Sequence, residues 1–217
     1  MNKQLKELKK QQDEIFGTIA AILGGISSPV RVNLIHFLSQ GPLTVETLAS
    51  KIDQSVANTS MHLRKMLAVG IVIVTVQGKN RLYSLHPATL SFWESCQDFA
   101  QSINPKTNLP VESIYEDINW KEKMKATIKL IKNNDVILLD ARPTEEVVET
   151  LSGIDVINIP SSEIGKKLSL LPRKKPILVF CRGRLCALSS YVVSELRKNG
   201  FNAYRLNESW YSLKQFL

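Results

Sequence analysis

Soft ligands and nucleophiles are scarce in this chain: its 217 residues hold three cysteines and three histidines. Only Cys181 and Cys186 lie close together, which excludes the disulfide framework of a small secreted protein. His36, His62 and His86 have no close ligand spacing, and no metal site is expected from them. No apolar run reaches the length of a membrane span, so no membrane partner is expected. The lysine-rich start lacks the apolar core and cleavage site of a secretory signal, and the expected location is the cytoplasm. Internal repeats and low-complexity segments are also missing, and the residues call for no cofactor.

What is present is the composition of a folded protein, 44% apolar and 22% charged, with length for one or two domains that each bury a core. Basic residues outnumber acidic ones by 28 to 20, a net charge of +8. That balance fits a polyanion partner and implies nonspecific affinity that falls as salt rises.

Periodicity divides the chain. Residues 3–23 read as a helix, with Leu5, Leu8, Ile15 and Ile19 at helical spacing and lysines opposite. A second helix holds Val30, Leu34, Ile35 and Leu38, with Ser28 and Pro29 as its cap and first turn, and Gln40-Gly41-Pro42 stops it. Thr44 caps a short helix at 45–50, and Ser55 caps a third that runs to about residue 69, where Gly70 ends it. The period then changes: 71–77 is β-branched, Gly78-Lys79-Asn80 turns, and 81–85 alternates, which predicts a hairpin. Helix, turn, helix and hairpin make a winged helix-turn-helix, a DNA-binding design. Residues 87–100 form a further helix, and 101–118, with its prolines and asparagines, is the expected linker between a domain at 1–100 and another at 119–217.

The run Thr44-Val45-Glu46-Thr47-Leu48-Ala49-Ser50, then His62-Leu63-Arg64-Lys65-Met66-Leu67-Ala68-Val69-Gly70-Ile71-Val72, then Gly78-Lys79-Asn80-Arg81-Leu82-Tyr83-Ser84-Leu85, resembles the ArsR family of winged-helix regulators. The resemblance implies a homodimer whose third helix enters the major groove of an operator in double-stranded DNA. On that helix Thr59, Leu63 and Met66 share one side, assigned to the core. Ala57, Asn58, Ser60, Met61, Arg64 and Lys65 then face DNA. Asn58 is suited to adenine, and Arg64, Lys65, Lys79 and Arg81 to phosphate; alternatively these charges only solvate a helix and a turn. Many relatives carry a cysteine metal motif on the helix that occupies 44–50 here, but no cysteine is present there. The apolar faces of the first helix and of the Phe92, Trp93, Phe99 helix suit dimerisation, or else packing within one subunit, and Cys96 reads as buried and inert.

Beyond the linker, helix and strand alternate. Helices are expected at 119–132, 144–151, 162–170 and 185–199, and strands at 136–140, 156–159, 177–180 and 202–206. Such alternation predicts a parallel sheet flanked by helices, with sites at the carboxyl ends of its strands, where Asp140 and Cys181 fall. The fold class is thus two domains, α+β followed by α/β. Phe180-Cys181-Arg182-Gly183-Arg184-Leu185-Cys186-Ala187 carries a cysteine from a strand end into a helix N-terminus. Converging N–H groups, the helix dipole, Arg182 and Arg184 all favour a thiolate there, which predicts a reactive sulfur. The alternative is a small buried apolar cysteine at a strand end.

Val136-Ile137-Leu138-Leu139-Asp140-Ala141-Arg142-Pro143-Thr144-Glu145-Glu146, followed by Ile157-Asn158-Ile159-Pro160, the cysteine loop and Gly200-Phe201-Asn202-Ala203-Tyr204-Arg205-Leu206, is similar to a rhodanese domain. Rhodaneses carry sulfur as a persulfide on the loop cysteine, which maps onto Cys181. The loop Cys181, Arg182, Gly183, Arg184, Leu185, Cys186 has the six-residue length of the family, whereas related phosphatases use one residue more. Asp140 and Arg142 match the first-strand motif and imply a charge-assisted pair that braces the loop. Cys186 either resolves an oxidised or persulfidated Cys181 as a disulfide, releasing sulfide, or turns into the core at the helix start. Two departures bear on turnover. Leu151-Ser152-Gly153-Ile154-Asp155-Val156 replaces Gly-His-Ile-Pro-Gly-Ala, and Glu208-Ser209 replaces a Gly-Gly before Trp210.

The expectation is therefore a sequence-specific DNA-binding regulator whose rhodanese-like domain senses or carries reactive sulfur from a small sulfur donor or thiol. A sulfurtransferase that moves sulfane sulfur to a thiol acceptor is the alternative, ahead of an arsenate reductase or phosphatase-like enzyme.

Overall fold

The computed structural model describes residues 3–104, 120–147, 153–210 and 213–214. Most of the expected linker at 101–118, and the end of the helix expected at 144–151, lie outside the described residues. The chain divides into two compact units, Met1–Ser95 and Cys96–Leu217.

The first unit opens with α1 (Lys3–Ile26) and α2 (Pro29–Leu38), then α3 (Val45–Lys51) and α4 (Val56–Ala68). Thr44 Oγ1 accepts from the Thr47 amide at 3.3 Å and Ser55 Oγ from the Asn58 amide at 3.2 Å, so both expected caps are made. Ser28 is the N-cap of α2, but its side chain makes no capping bond there; Pro29 supplies the fixed first-turn φ instead. Leu34, Ile35, Leu38, Leu48, Leu63 and Met66 form the core. The wing is an antiparallel pair, β1 (Val72–Gln77) and β2 (Asn80–Leu85), in which Gln77 faces Asn80 across a two-residue turn. Gly78, at φ +61°, supplies the left-handed backbone that such a turn requires. Leu43 bridges to Tyr83 at the base of the hairpin through bonds of 2.8 and 2.9 Å. Gly25 marks a close approach: a Cβ there would lie 2.6 Å from Val69 Cγ2 and 2.7 Å from Ile71 Cδ1. A last helix, α5 (Pro87–Ile103), runs across the boundary between the units.

The second unit contains α6 (Trp120–Lys132), β3 (Ile137–Asp140), β4 (Val156–Asn158), α7 (Ile164–Lys167), β5 (Ile177–Cys181), α8 (Ala187–Lys198) and β6 (Ala203–Ser209). The strands form a parallel sheet in the order β4-β3-β5-β6. Along β5 successive side chains enter opposite cores. Leu178 and Phe180 join Met124, Ile128 and Trp210, whereas Ile177, Val179 and Cys181 join Ile164, Val192, Val193 and Leu196. Burial on both faces is why β5 reads as a continuous apolar run.

Three elements differ from expectation. Thr144–Glu146 is a 3-10 turn entered from Pro143, and Glu146 at its end is drawn to the cysteine loop. The helix expected at 162–170 is one α-turn, Ile164–Lys167, followed by 3-10 geometry at Leu168–Leu170. Finally, β6 extends to Ser209, because Ser209 pairs with Cys181 across a register irregularity in β5.

Candidate DNA interface and cysteine loop

On α4, Thr59, Leu63 and Met66 are buried as expected, and Ala57, Met61, Arg64 and Lys65 are exposed. Asn58 and Ser60 are half-buried, and Asn58 Nδ2 donates to Gln54 Oε1 at 2.7 Å. An adenine edge would have to replace that bond. Lys79 and Arg81 are exposed on the wing. Arg31, which sequence reasoning did not single out, fixes the helix from behind. Its Nη2 donates to the carbonyls of Gly24 at 2.9 Å and Ser27 at 3.1 Å, and its Nη1 lies 3.3 Å from His62 Nδ1. Burial, then the charges of Arg31 and Lys65, hold the His62 imidazole below its ordinary pKa. Among the described residues, no group of His, Cys, Asp and Glu is placed to hold a metal ion, and no single helix is long and apolar enough to cross a membrane.

In the second unit, β5 delivers Cys181 to the face packed by α8. The sulfur is wholly buried, and its S–H has two acceptors, Ser189 Oγ at 3.3 Å and the Cys186 carbonyl at 3.8 Å. Cys186 is the N-cap of α8 and is itself buried, and both cysteines are free thiols. Burial pushes the Cys181 thiol well above its ordinary range, Cys186 adds to this, and the Ser189 hydroxyl and amide oppose it. At rest the sulfur is therefore a protonated thiol, and the arginines expected to ionise it are engaged elsewhere. Arg182 makes a two-pronged pair with Glu146, Nε to Oε2 at 2.8 Å and Nη2 to Oε1 at 2.7 Å, and Arg184 pairs with Asp98 of the same unit. Burial works against the Arg182 charge, but Glu146, with lesser help from negative charge on Cys186 and Cys181, holds that guanidinium above its ordinary pKa.

Asp140 and Arg142 lie on the other side of the sheet. Arg142 Nη2 donates to Asp140 Oδ2 at 2.7 Å, Nε donates to both carboxylate oxygens at 3.0 and 3.1 Å, and the Arg142 amide donates to Oδ1 at 3.0 Å. The guanidinium, 1% exposed, lies 5.3 Å from the Trp210 ring centre and 5.9 Å from that of Phe180. Asn158 completes the corner by donating to the carbonyls of Asp140 and Arg142. The loop residues and this pair are thus separate clusters on opposite faces of adjoining strands.

Glu146, Ser189 and Arg205 were not singled out in advance. Arg205 gave a sequence signal: it shares a strand face with Ala203, so alternation sends a charged residue inward.

Residues 28–74 match the family described as bacterial regulatory protein, arsR family, and residues 124–215 match the rhodanese-like domain. The chain thus joins an ArsR-family helix-turn-helix domain to a rhodanese-like domain, and is a DNA-binding transcriptional regulator of the ArsR type. It is 22% identical over 200 residues to the HTH-type transcriptional regulator Rv0324 of Mycobacterium tuberculosis, covering 88% of this chain and 84% of that one. Similar solved structures include the homodimeric winged helix-turn-helix domain of Mb0332 from Mycobacterium bovis, 17% identical over 43% of this chain and 87% of that chain, with a TM-score of 0.42. The transcriptional repressor BigR from Xylella fastidiosa is 24% identical over 48% of this chain and 96% of that chain, with a TM-score of 0.36.

Proposed function

We propose that this regulator works in the cytoplasm as a homodimer, binds an operator sequence-specifically, and changes its affinity when reactive sulfur modifies Cys181. The observation that carries the reading is two free thiols, Cys181 and Cys186, buried at opposite ends of one loop, in a chain that also holds a winged helix. The proposed division of labour is 1–100 for DNA binding and dimerisation, 101–118 for the linker and 119–217 for sulfur, although Cys96–Ile103 of α5 belongs by its contacts to the second compact unit.

In the chemistry proposed, the Cys181 thiolate attacks the sulfane sulfur of a small persulfide. A Cys181–S–SH bond forms, the donor S–S bond breaks, and the departing thiolate takes up the proton that Cys181 lost. The Cys186 thiolate then attacks the inner sulfur, forming the Cys181–Cys186 disulfide and expelling hydrosulfide, and two external thiols, joined in turn as their own disulfide, return both cysteines to thiols. Asp140 and Arg142 brace the strand end that carries the loop. Arg184 pairs with Asp98, next to the exposed Phe99 on α5, which gives a moving loop a route into that helix. Exposed Leu8, Ile15 and Phe16 on α1 support a dimer seam. Asn58 with Ala57, Ser60 and Met61 is assigned to base edges, and Arg64, Lys65, Lys79 and Arg81 to phosphates.

Gel shift with DNA from upstream of the chain's own gene, before and after polysulfide, tests the reading. Affinity should change on treatment and the change should vanish in Cys181→Ser, with Cys186→Ser showing whether the second thiol is needed. Unchanged binding while mass spectrometry finds persulfide on Cys181 would refute the switch. The six-residue loop also supports a second reading, a sulfurtransferase, which steady turnover indifferent to DNA would favour.

A further inference from the structure

Arg205 enters the second unit's core from β6 and is 3% exposed. Its Nε donates to Ser189 Oγ at 3.1 Å, and its Nη2 donates to the carbonyl of Arg184 inside the cysteine loop. The Ser189 hydroxyl sits between three groups. It receives the Arg205 N–H, lies 3.3 Å from Cys181 Sγ, and donates to the Cys186 carbonyl at 3.3 Å. A hydroxyl has one proton to give. With Cys181 protonated, the thiol donates to Ser189 Oγ and the serine proton goes to the Cys186 carbonyl. Once Cys181 loses its proton, the serine proton can turn to the sulfur anion while the Arg205 N–H stays on the oxygen. The same hydroxyl can therefore serve both states, with a cation fixed behind it.

We propose that Arg205, acting through Ser189, is the buried charge partner of the Cys181 sulfur and favours its thiolate and perthiolate over the neutral forms when it reacts. This deepens the reading of Cys181 as the reactive sulfur and rests on it.

Of the cations facing Cys181, Arg205 is the one joined to it by a hydrogen-bond chain, through Ser189. Cys186, on the loop, disfavours ionisation of its neighbour. Arg182 also gains from negative charge on Cys181 and Cys186 but is bound to Glu146, and Arg184 pairs with Asp98. From β6, burial lowers the Arg205 pKa, and the negative charge that Cys181 and Cys186 would carry raises it. That attraction is reciprocal, so a guanidinium favoured by a thiolate favours that thiolate in turn. Arg205 and Ser189 are positioning residues; neither exchanges atoms with the donor.

The test is the pH dependence of Cys181 modification in the full-length reduced protein, resolved by peptide mass spectrometry, with methyl methanethiosulfonate as probe. The thiolate attacks the sulfenyl sulfur, forms Cys181–S–S–CH3 and releases methanesulfinate, and Cys96, half-buried in the structure rather than buried as expected, serves as reference in the same molecule. In Arg205→Met the midpoint of the rate profile should move up by about one pH unit, a tenfold change in thiolate fraction. The rate at pH 7.5 should fall about threefold, because a more basic thiolate regains part of the loss as nucleophilicity. Ser189→Ala should shift the profile the same way, and Arg205→Lys should fall between parent and Met. If Arg205 were only a clamp on the loop, its removal would speed modification at every pH and leave the midpoint in place, which overturns the proposal; so do coincident profiles. Should Arg205→Met fail to fold by circular dichroism, the Lys and Ala variants decide. A displaced midpoint alongside unchanged operator binding would preserve the charge partner and refute the sensor.

Discussion

Removing one member of the Asp140–Arg142 pair should be among the most damaging single changes to the second unit. Both side chains are shut off from water, 0% and 1% exposed, and each satisfies the other through several short bonds. Replacing Arg142 by Met strands a buried carboxylate, and replacing Asp140 by Asn leaves a buried guanidinium without its anion. Breaking a buried pair in this way costs about 3–5 kcal/mol. Arg142→Met also loses the contact of the cation with the Trp210 and Phe180 rings, worth about 1 kcal/mol. At a urea slope of about 2 kcal/mol per M, the midpoint should fall by about 2 M. The assay is equilibrium unfolding followed by Trp210 fluorescence in a Trp93→Phe, Trp120→Phe background, so that the signal comes from the second unit. The double variant Asp140→Asn/Arg142→Met carries no uncompensated charge and should lose less than the sum of the singles. Single substitutions that move the midpoint by less than about 0.5 M, or singles that simply add, would refute the claim that pairing rather than packing sets the cost.

Other outcomes follow from the same geometry. Because its folded pKa is raised, Cys181 should be modified about tenfold faster per pH unit from 7 to 9, and Cys186→Ala should shift this profile down, read by the same peptide mass spectrometry. The unfolded thiol ionises first, near pH 8.5, so the second unit should lose stability as pH rises through that value, and Cys181→Ala should flatten the loss in urea titrations. His62 has the opposite sign: its folded pKa is lowered from 6.5, so the first unit should lose stability as pH falls below 6.5 and His62→Gln should abolish that slope. Lys79→Ala and Arg81→Ala should each weaken DNA binding across sequences and lower the salt slope by about 1, whereas Asn58→Ala should relax preference at one base position by about 1–3 kcal/mol in competition gel shifts. Gly25→Ala forces a methyl against Val69 and Ile71 and should cost the first unit about 1–3 kcal/mol in thermal unfolding.

Local signals in the sequence located most of the elements. Thr44 and Ser55 both cap helices, Gly78 turns the wing, and the apolar run at 177–180 becomes the doubly buried central strand. Thr59, Leu63 and Met66 fall on the buried side of α4 because a period of 3.6 residues is enough to separate the faces of an isolated helix. Partners distant along the chain were hidden. The position of Arg182 in the loop predicts a cation for Cys181, but only the fold brings in Glu146, 36 residues earlier, to take that cation away. Nor does the loop sequence show that its cysteine would be sealed under α8, where desolvation outweighs the hydrogen bonds of Ser189 that favour a thiolate. The pairing of Arg205 with Ser189 spans 16 residues and two elements, and the inward phase of one basic residue was its single trace.

Phe180 and Cys181 are consecutive residues, yet one packs with Trp210 and Met124 and the other with Val192 and Leu196. The peptide bond between them divides two trades. On the α6 side a ring stack and a sealed ion pair hold the strand end; on the α8 side thiols, a hydroxyl and a guanidinium set how the sulfur responds. A lineage or an engineer could rewrite the second face, for a different oxidant or a different threshold, and inherit the first intact. The sheet acts as a bulkhead one backbone thick, and the chemistry of this chain can drift without the mooring that holds it.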